Sequence, residues 1–294
     1  MTELGWRLPE RMDWLRGTEA GRAWLASFPA VAAECADRWN LVLGDVFPDA
    51  FVSAPITATL DDGTEAVLKL QFPDRETEHE AEALLQWDGD GAIRLLAHDP
   101  ERHALLLERC TPGTPLSAVG ADDALSVLVR LLSRLWQPAG PSFRPLAEEA
   151  AWWVERLERR TLRANDMPRR LLDAALDALQ TLPATQGEQV LLHQDLHAGN
   201  VLRSEREPWL AIDPKPLAGE REFGVAPIVR SFELGHGRRD VCYRLDRLTA
   251  ELGLDHERAR SWAIAQTVAW TPEGEHARTH LETATWLLEG RTSA

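Results

Sequence analysis

The chain of 294 residues is long enough for one large domain or two lobes, and its 44% hydrophobic content is enough to fill a core. Its formal charge of −15, from 47 acidic against 32 basic residues, repels nucleic-acid phosphates and anionic lipid and favours a cationic small-molecule partner. Cys35, Cys110 and Cys242 lie too far apart for a disulfide framework or a C-x-x-C knuckle, and the charged start and lack of an 18-residue apolar run lead us to expect a protein of the reduced cytoplasm, neither exported nor inserted in a membrane.

In chain order, Trp24, Leu25, Phe28, Val31, Ala32, Cys35 and Trp39 recur at three and four, which predicts an amphipathic helix over 21–43. The β-branched, alternating stretch FVSAPITATLDDGTEAVLKL, 51–70, predicts a hairpin turning at Asp61-Asp62-Gly63-Thr64. RETEHEAEALLQW, 75–87, is rich in helix formers and carries Ala83, Leu84 and Trp87 on one face. A turn at 88–91 separates it from AIRLLAHD and HALLLERC, which fit a second hairpin, and TPGTPL, 111–116, breaks regular structure at a lobe boundary. Helical periods follow over 121–136, 145–160 and 168–182, then short apolar segments in VLLHQDL and PWLAID, then helix again over 240–289 with a break at 272–274. The expected plan is α+β, with a small N-terminal sheet lobe and its helices over 1–109 and a larger, mainly helical lobe over 110–294.

Polar residues crowd into LLHQDLHAGN, 191–200, directly behind an apolar run. Asp195 is followed five residues on by Asn200, and Asp213 stands thirteen further, after the strand-like PWLAI. D-x-x-x-x-N is the spacing of a kinase catalytic loop, in which the aspartate orients a hydroxyl, while an asparagine and a second aspartate give Mg²⁺ the hard oxygen ligands it requires. Two blander readings compete. His193 and His197 could bind zinc at i, i+4, although Gly199 and the absent helix period oppose it, or Asp195, Asn200 and Asp213 could be turn formers and caps. Lys69, a lysine alone in the apolar strand EAVLKLQF of an arginine-dominated chain, favours the kinase reading, since a strand ammonium can pair with nucleotide phosphates and a helix glutamate. Glu80 is the partner chosen, with Glu76, Glu78 and Glu82 competing.

HQDLHAGNVL, EPWLAIDPKPLAGEREFG, WDGDGAIRLL and LLLERCTPGTPL together resemble the aminoglycoside phosphotransferase family, in its branch of streptomycin 6-phosphotransferases and aminoglycoside and hydroxyurea kinases. The resemblance extends to GRAWLASFPAVAAECADRW and spans most of the chain. It implies a bilobal protein-kinase-like fold, ATP and Mg²⁺ as cofactors, Asp195 as the catalytic aspartate, Asn200 and Asp213 as metal ligands, and Lys69 as the phosphate-binding lysine. Glu108, Arg109 and Cys110 match the hinge whose backbone meets adenine, and His193 and His197 match structural residues of the loop. Two departures stand out. Gln194 replaces the glycine usual before the aspartate, and the nucleotide loop around 44–55, GDVFPDAFVSAP, lacks G-x-G-x-x-G.

The expected reaction is transfer of the ATP γ-phosphoryl group to a hydroxyl of a cationic aminoglycoside, in the first instance position 6 of streptomycin, which inactivates the antibiotic. Glu220, Glu222, Asp240 and Glu275 are the carboxylates considered for its guanidinium groups. The alternatives are a kinase of another small alcohol or amine and, from a different class, a degenerate kinase that only binds nucleotide.

Overall fold

The strand-rich and helix-rich stretches of the chain part at Thr111. In the computed structural model, which describes residues 6, 8–48, 50–163, 167–272 and 277–290, the chain divides into two compact units, Met1–Thr111 and Pro112–Ala294.

In the first unit a 3-10 turn, Glu10–Gly17, leads into α1 (Glu19–Trp39). Thr18 caps that helix by accepting the Gly21 N–H at 3.0 Å. A side chain at Gly21 would collide with the Leu15 carbonyl, which lies 2.1 Å from the position of a Cβ. The helix ends at Asn40, whose φ of 51° is left-handed, so 41–43, expected to be helical, begin strand β1 (Leu41–Val46) instead. β2 (Ser53–Leu60) and β3 (Glu65–Gln71) form the expected hairpin, with Asp62 accepting the Thr64 N–H at 2.9 Å in its turn. α2 (Glu80–Trp87) is shorter than the 75–87 expected. Asp74 accepts the Glu76 N–H at 2.9 Å and the Thr77 hydroxyl donates to the Phe72 and Asp74 carbonyls, so side chains compete with the helix ladder until Glu80. β4 (Leu95–Asp99) and β5 (Ala104–Glu108) form the second hairpin and complete an antiparallel sheet ordered β1-β2-β3-β5-β4.

The two-residue period of β3 decides what this sheet presents on each side. Ala66, Leu68 and Leu70 pack into one core with Phe28, Ala32 and Cys35 of α1 and with Met12 and Leu15. Lys69 and Gln71 alternate with them and meet Glu80 of α2.

The second unit begins with β6 (Pro112–Pro115), a short strand where TPGTPL was expected to be irregular; its pairing with β8 supplies the order. Then come α3 (Ala121–Leu135), α4 (Leu146–Arg163), α5 (Arg169–Thr181), β7 (Val190–Leu192), β8 (Val201–Ser204), β9 (Leu210–Ala211), β10 (Leu217–Gly219), α6 (Arg221–Gly224) and α7 (Ala226–Arg230). α8 (Arg238–Leu252), α9 (His256–Ala269) and α10 (Ala277–Glu289) follow, and Gly253, at φ 65°, adds a break that the pattern over 240–289 did not reveal. α3 is strongly amphipathic and buries Leu125, Leu128, Leu131, Leu132 and Leu135, each contributing about 2 kcal/mol of transfer free energy. α9 is buried on nearly every side, by α5, α7 and α10 among others. Two small sheets, β7-β10 and β6-β8-β9, fix both ends of the 193–200 loop and of the 212–216 turn. Among the described residues no helix is long and apolar enough to cross a membrane.

Asp99, at the end of β4, is 2% exposed and accepts the Glu101 and Arg102 backbone N–H groups and the guanidinium groups of Arg38 and Arg102. Burial pushes its carboxyl up, but these bonds and charges outweigh it and hold the group below its ordinary range. A depressed folded-state pKa contributes stability that is present above the unfolded value, about 3.9, and lost as pH falls through the folded one. Asp99→Asn is therefore expected to lower stability at pH 7 by about 1–3 kcal/mol in urea denaturation, with the gap to wild type closing below about pH 3; a gap independent of pH would contradict this.

Candidate active site

In the first unit the ammonium of Lys69 donates to both carboxylate oxygens of Glu80, at 2.6 Å each, and the Gln71 amide adds a bond of 2.7 Å to Oε2. The pair is 5% and 1% exposed, so each charge depends on the other. Of the four glutamates considered on 75–87, Glu80 is the one in this bond, because it opens α2 on the side facing Lys69. At the end of β5 the Glu108 N–H donates to the Arg94 carbonyl at 2.9 Å, the Arg94 N–H donates to the Glu108 carboxylate at 2.9 Å, and Arg109 pairs with Glu65 at 2.9 Å. Cys110 is half-buried. The glycine-poor loop between β1 and β2 is tied down by indoles instead, Trp6 donating to the Gly44 carbonyl at 2.9 Å and Trp14 to that of Phe51 at 3.1 Å.

In the second unit β7 delivers His193, Gln194 and Asp195 to a sharp turn in which the His193 carbonyl accepts the N–H groups of both Asp195 (2.8 Å) and Lys215 (2.9 Å). The His193 Nε2 bonds to the Ile212 carbonyl at 3.0 Å, and burial holds the imidazole down at about 4, so it is neutral and donates there. Gln194 adopts φ 62°, a left-handed conformation that costs a side-chain-bearing residue about 1–2 kcal/mol, and Gln266 of α9 secures it by donating to its carbonyl at 3.0 Å. This is the glycine-like geometry the resemblance implies at the position, adopted by a glutamine that is 1% exposed. His197 bonds to Glu233 at 3.0 Å, and Gly199 donates to the same carboxylate at 2.8 Å; a Cβ on Gly199 would come within 2.6 Å of it.

The buried carboxylate of Asp195 accepts one cation on each oxygen, Lys215 at 2.8 Å on Oδ2 and Arg230 at 3.0 Å on Oδ1. Burial raises its pKa, but the charges of Lys215 and Arg230 and the lysine hydrogen bond hold it below the ordinary carboxylate range, so it is an anion near neutrality. Asn200 donates through Nδ2 to the Asp195 carbonyl at 3.0 Å, which turns its amide oxygen away as an acceptor. The Asn200 carbonyl in turn accepts the Ile212 N–H at 2.9 Å, bringing Asn200 beside Asp213, which holds φ 57°. An amide oxygen and a carboxylate fit Mg²⁺, which is bound by few protein oxygens with water and phosphate completing its shell. Among the described residues no three His, Cys, Asp or Glu side chains form a metal-binding group, and a Mg²⁺ site of this kind needs none.

A family model described as aminoglycoside/hydroxyurea antibiotic resistance kinase matches residues 38–273. The chain belongs to that family. It is 41% identical over 268 residues to a streptomycin 6-kinase of Streptomyces griseus, covering 87% of each chain. It is 42% identical over 258 residues to a hydroxyurea phosphotransferase of Kitasatospora aureofaciens, covering 86% of this chain and 74% of that one. Among solved structures it is similar to a thermostable aminoglycoside phosphotransferase APH(4)-Ia in complex with ADP and hygromycin B (TM-score 0.60, 12% identity, 90% of this chain and 100% of that one). It is also similar to choline kinase LicA from Streptococcus pneumoniae (TM-score 0.62, 11% identity, 89% and 98%). The fold is thus the protein-kinase-like fold of aminoglycoside and choline kinases, and the chain is a member of a phosphotransferase family.

Within this aminoglycoside/hydroxyurea kinase family member, three of the four carboxylates considered for a substrate interact with other groups of the chain. Glu220 is buried and its oxygens accept from Arg258 at 2.7 Å and from the Trp262 indole, which corrects its assignment from substrate contact to core ion pairing. Glu222 accepts the Asp255 N–H at 3.4 Å, and Asp240 supports the charge of buried Arg244. Glu275 lies outside the described residues. The sequence reading gave no role to Lys215, although it lies in EPWLAIDPKPLAGEREFG, and missed Arg230, Glu233 and Gln266, which sit 35 to 71 positions beyond Asp195 in none of the quoted motifs. Composition did hold one signal. Lys69 and Lys215 are the only lysines in the chain, and each is paired with an acid that the motifs single out.

The segment carrying Arg230 and Glu233 is itself braced from within. Arg244 of α8, 1% exposed, donates to the carbonyls of Val229 (3.0 Å), Leu234 (3.1 Å) and Gly235 (2.8 Å), a cation at the end of α7; burial lowers its pKa to about 10. Arg244→Met leaves those three carbonyls without their donor, and at about 1–3 kcal/mol for a buried group a loss of at least ~3 kcal/mol is expected in urea denaturation; wild-type stability would refute the bracing role.

Proposed function

We propose that the protein is an ATP- and Mg²⁺-dependent O-phosphotransferase that phosphorylates the 6-hydroxyl of streptomycin and thereby inactivates it. The observation that carries the chemistry is Asp195, an ionised carboxylate in a loop that also holds Asn200 and, through Ile212, Asp213. The domain roles follow: the 1–109 lobe binds nucleotide and the 110–294 lobe supplies catalysis and acceptor. Lys69, oriented by Glu80, pairs with phosphate oxygens of ATP. The backbone of Arg109 and Cys110 meets the adenine edge, since the Glu108 N–H is already engaged by Arg94. Asn200 Oδ1 and Asp213 hold Mg²⁺, which offsets phosphate charge. Asp195 accepts a hydrogen bond from the acceptor hydroxyl; as the oxygen bonds to the γ-phosphorus and the β–γ bridging P–O bond breaks, its proton passes to Asp195 and ADP departs. An anion with two cations on it is a weak base, which suits a loose transition state in which the hydroxyl proton leaves late.

Streptomycin as acceptor is supported by the streptomycin 6-kinase relative, and the acidic surface suits a substrate with two guanidinium groups. Binding of ADP by the structural neighbour supports the nucleotide. A cytoplasmic setting supplies ATP, and no disulfide joins Cys35, Cys110 and Cys242. The hydroxyurea phosphotransferase relative favours a second reading, a small hydroxyl-bearing acceptor such as hydroxyurea.

Mass spectrometry of streptomycin incubated with the protein, ATP and Mg²⁺ is expected to show one added phosphate. Turnover of hydroxyurea alone would select the second reading, and a protein that binds ATP but transfers to no acceptor would be a degenerate kinase. Asp195→Ala is expected to lower kcat by about 10²- to 10⁴-fold with nucleotide binding retained, the range for losing a general base. Lys69→Ala should instead weaken nucleotide binding as well as turnover, and leaves Glu80 a buried, uncompensated charge; unchanged ATP affinity in a calorimetric titration would remove Lys69 from the nucleotide site.

A further inference from the structure

Lys215 and Arg230 do more than surround Asp195. Lys215 lies between two buried prolines, Pro214 and Pro216, and its own N–H is fixed to the His193 carbonyl, so its backbone has little freedom. Arg230 ends α7, whose Val229 carbonyl is held by Arg244. Both cations rest on one ring: the Lys215 ammonium lies 4.8 Å and the Arg230 guanidinium carbon 4.5 Å from the centre of Trp270, which also meets Trp153 edge-on. The carboxylate is thus gripped on each oxygen by a group that cannot easily move.

We propose that Lys215 and Arg230, backed by Trp270, are positioning residues for the phosphotransfer: they lock the carboxylate of Asp195 in the one orientation that receives the acceptor hydroxyl. This rests on Asp195 acting in the proposed reaction. Misplacing a reacting group by about 1 Å can cost about 10²-fold, so the lock matters for kcat rather than for ground-state binding.

The test is a double-mutant cycle on the full-length protein with streptomycin and ATP. Lys215→Met is expected to lower kcat about 10²-fold while KM for either substrate changes less than about threefold, and Lys215→Arg to restore most of the loss. Lys215→Met placed in Asp195→Asn should cost nothing further, because the group it positions is gone. Additive losses, an unchanged kcat in Lys215→Met, or a loss confined to KM for the acceptor would each overturn the proposal. Thermal midpoints accompany every variant. If Lys215→Met does not fold, Arg230→Lys, which keeps the charge but shifts its position on Oδ1, must lower kcat without changing KM for the proposal to stand. A wild-type protein that leaves streptomycin untouched would refute the acceptor and not the lock, which the same cycle then tests on ATP hydrolysis to water.

Discussion

A carboxylate as deeply buried as Asp195 stays ionised only because charge reaches it, and the second unit is organised around that need. β7 and the 193–195 turn bring the anion; the turn after β9 brings Lys215; α7 brings Arg230; α9 ends in the indole beneath both cations. Removing either cation would leave buried charge imperfectly compensated, a large penalty in a low-dielectric setting. The strained backbone at Gln194 and Asp213 belongs to the same arrangement, since turning the chain sharply after β7 and after β9 is what lets residues 20 apart meet at one carboxylate.

The pairing of Lys69 with Glu80 repeats the principle in the first unit: one buried acid, one buried ammonium, and a neutral amide from Gln71 completing the shell. These local cations contrast with a net charge of −15. The two scales are separable. The far field of the chain is negative, whereas Lys215 and Arg230 put two cations on the single carboxylate of Asp195.

Much of the scaffold was legible because local rules and tertiary packing agreed. The hairpin at 53–71 carried period two, that at 95–108 two apolar runs of strand length, and α3, α4 and α5 a helical period. Expectations failed where side chains redirected the backbone: Asn40 ended α1 early, Asp74 and Thr77 delayed α2, and β8 made a strand of TPGTP. Asp195, Asn200, Asp213 and Lys69 were singled out through spacing and through the oddity of a lysine in an apolar strand; the structure brings the first three together around one turn and sets Lys69 against Glu80. Glu220 misled because an acidic residue beside a motif looks the same whether it faces solvent or Arg258.

The sequence by itself singled out Asp195, Asn200, Asp213 and Lys69, because those residue types stand at intervals that the local backbone can place. Which glutamate joins Lys69, and which cations hold Asp195, only the tertiary structure decided. Ion pairs depend on distance in space: Lys215 and Arg230 reach one carboxylate along chain separations of 20 and 35 residues, with Trp270 beneath both cations, and no local pattern encodes this.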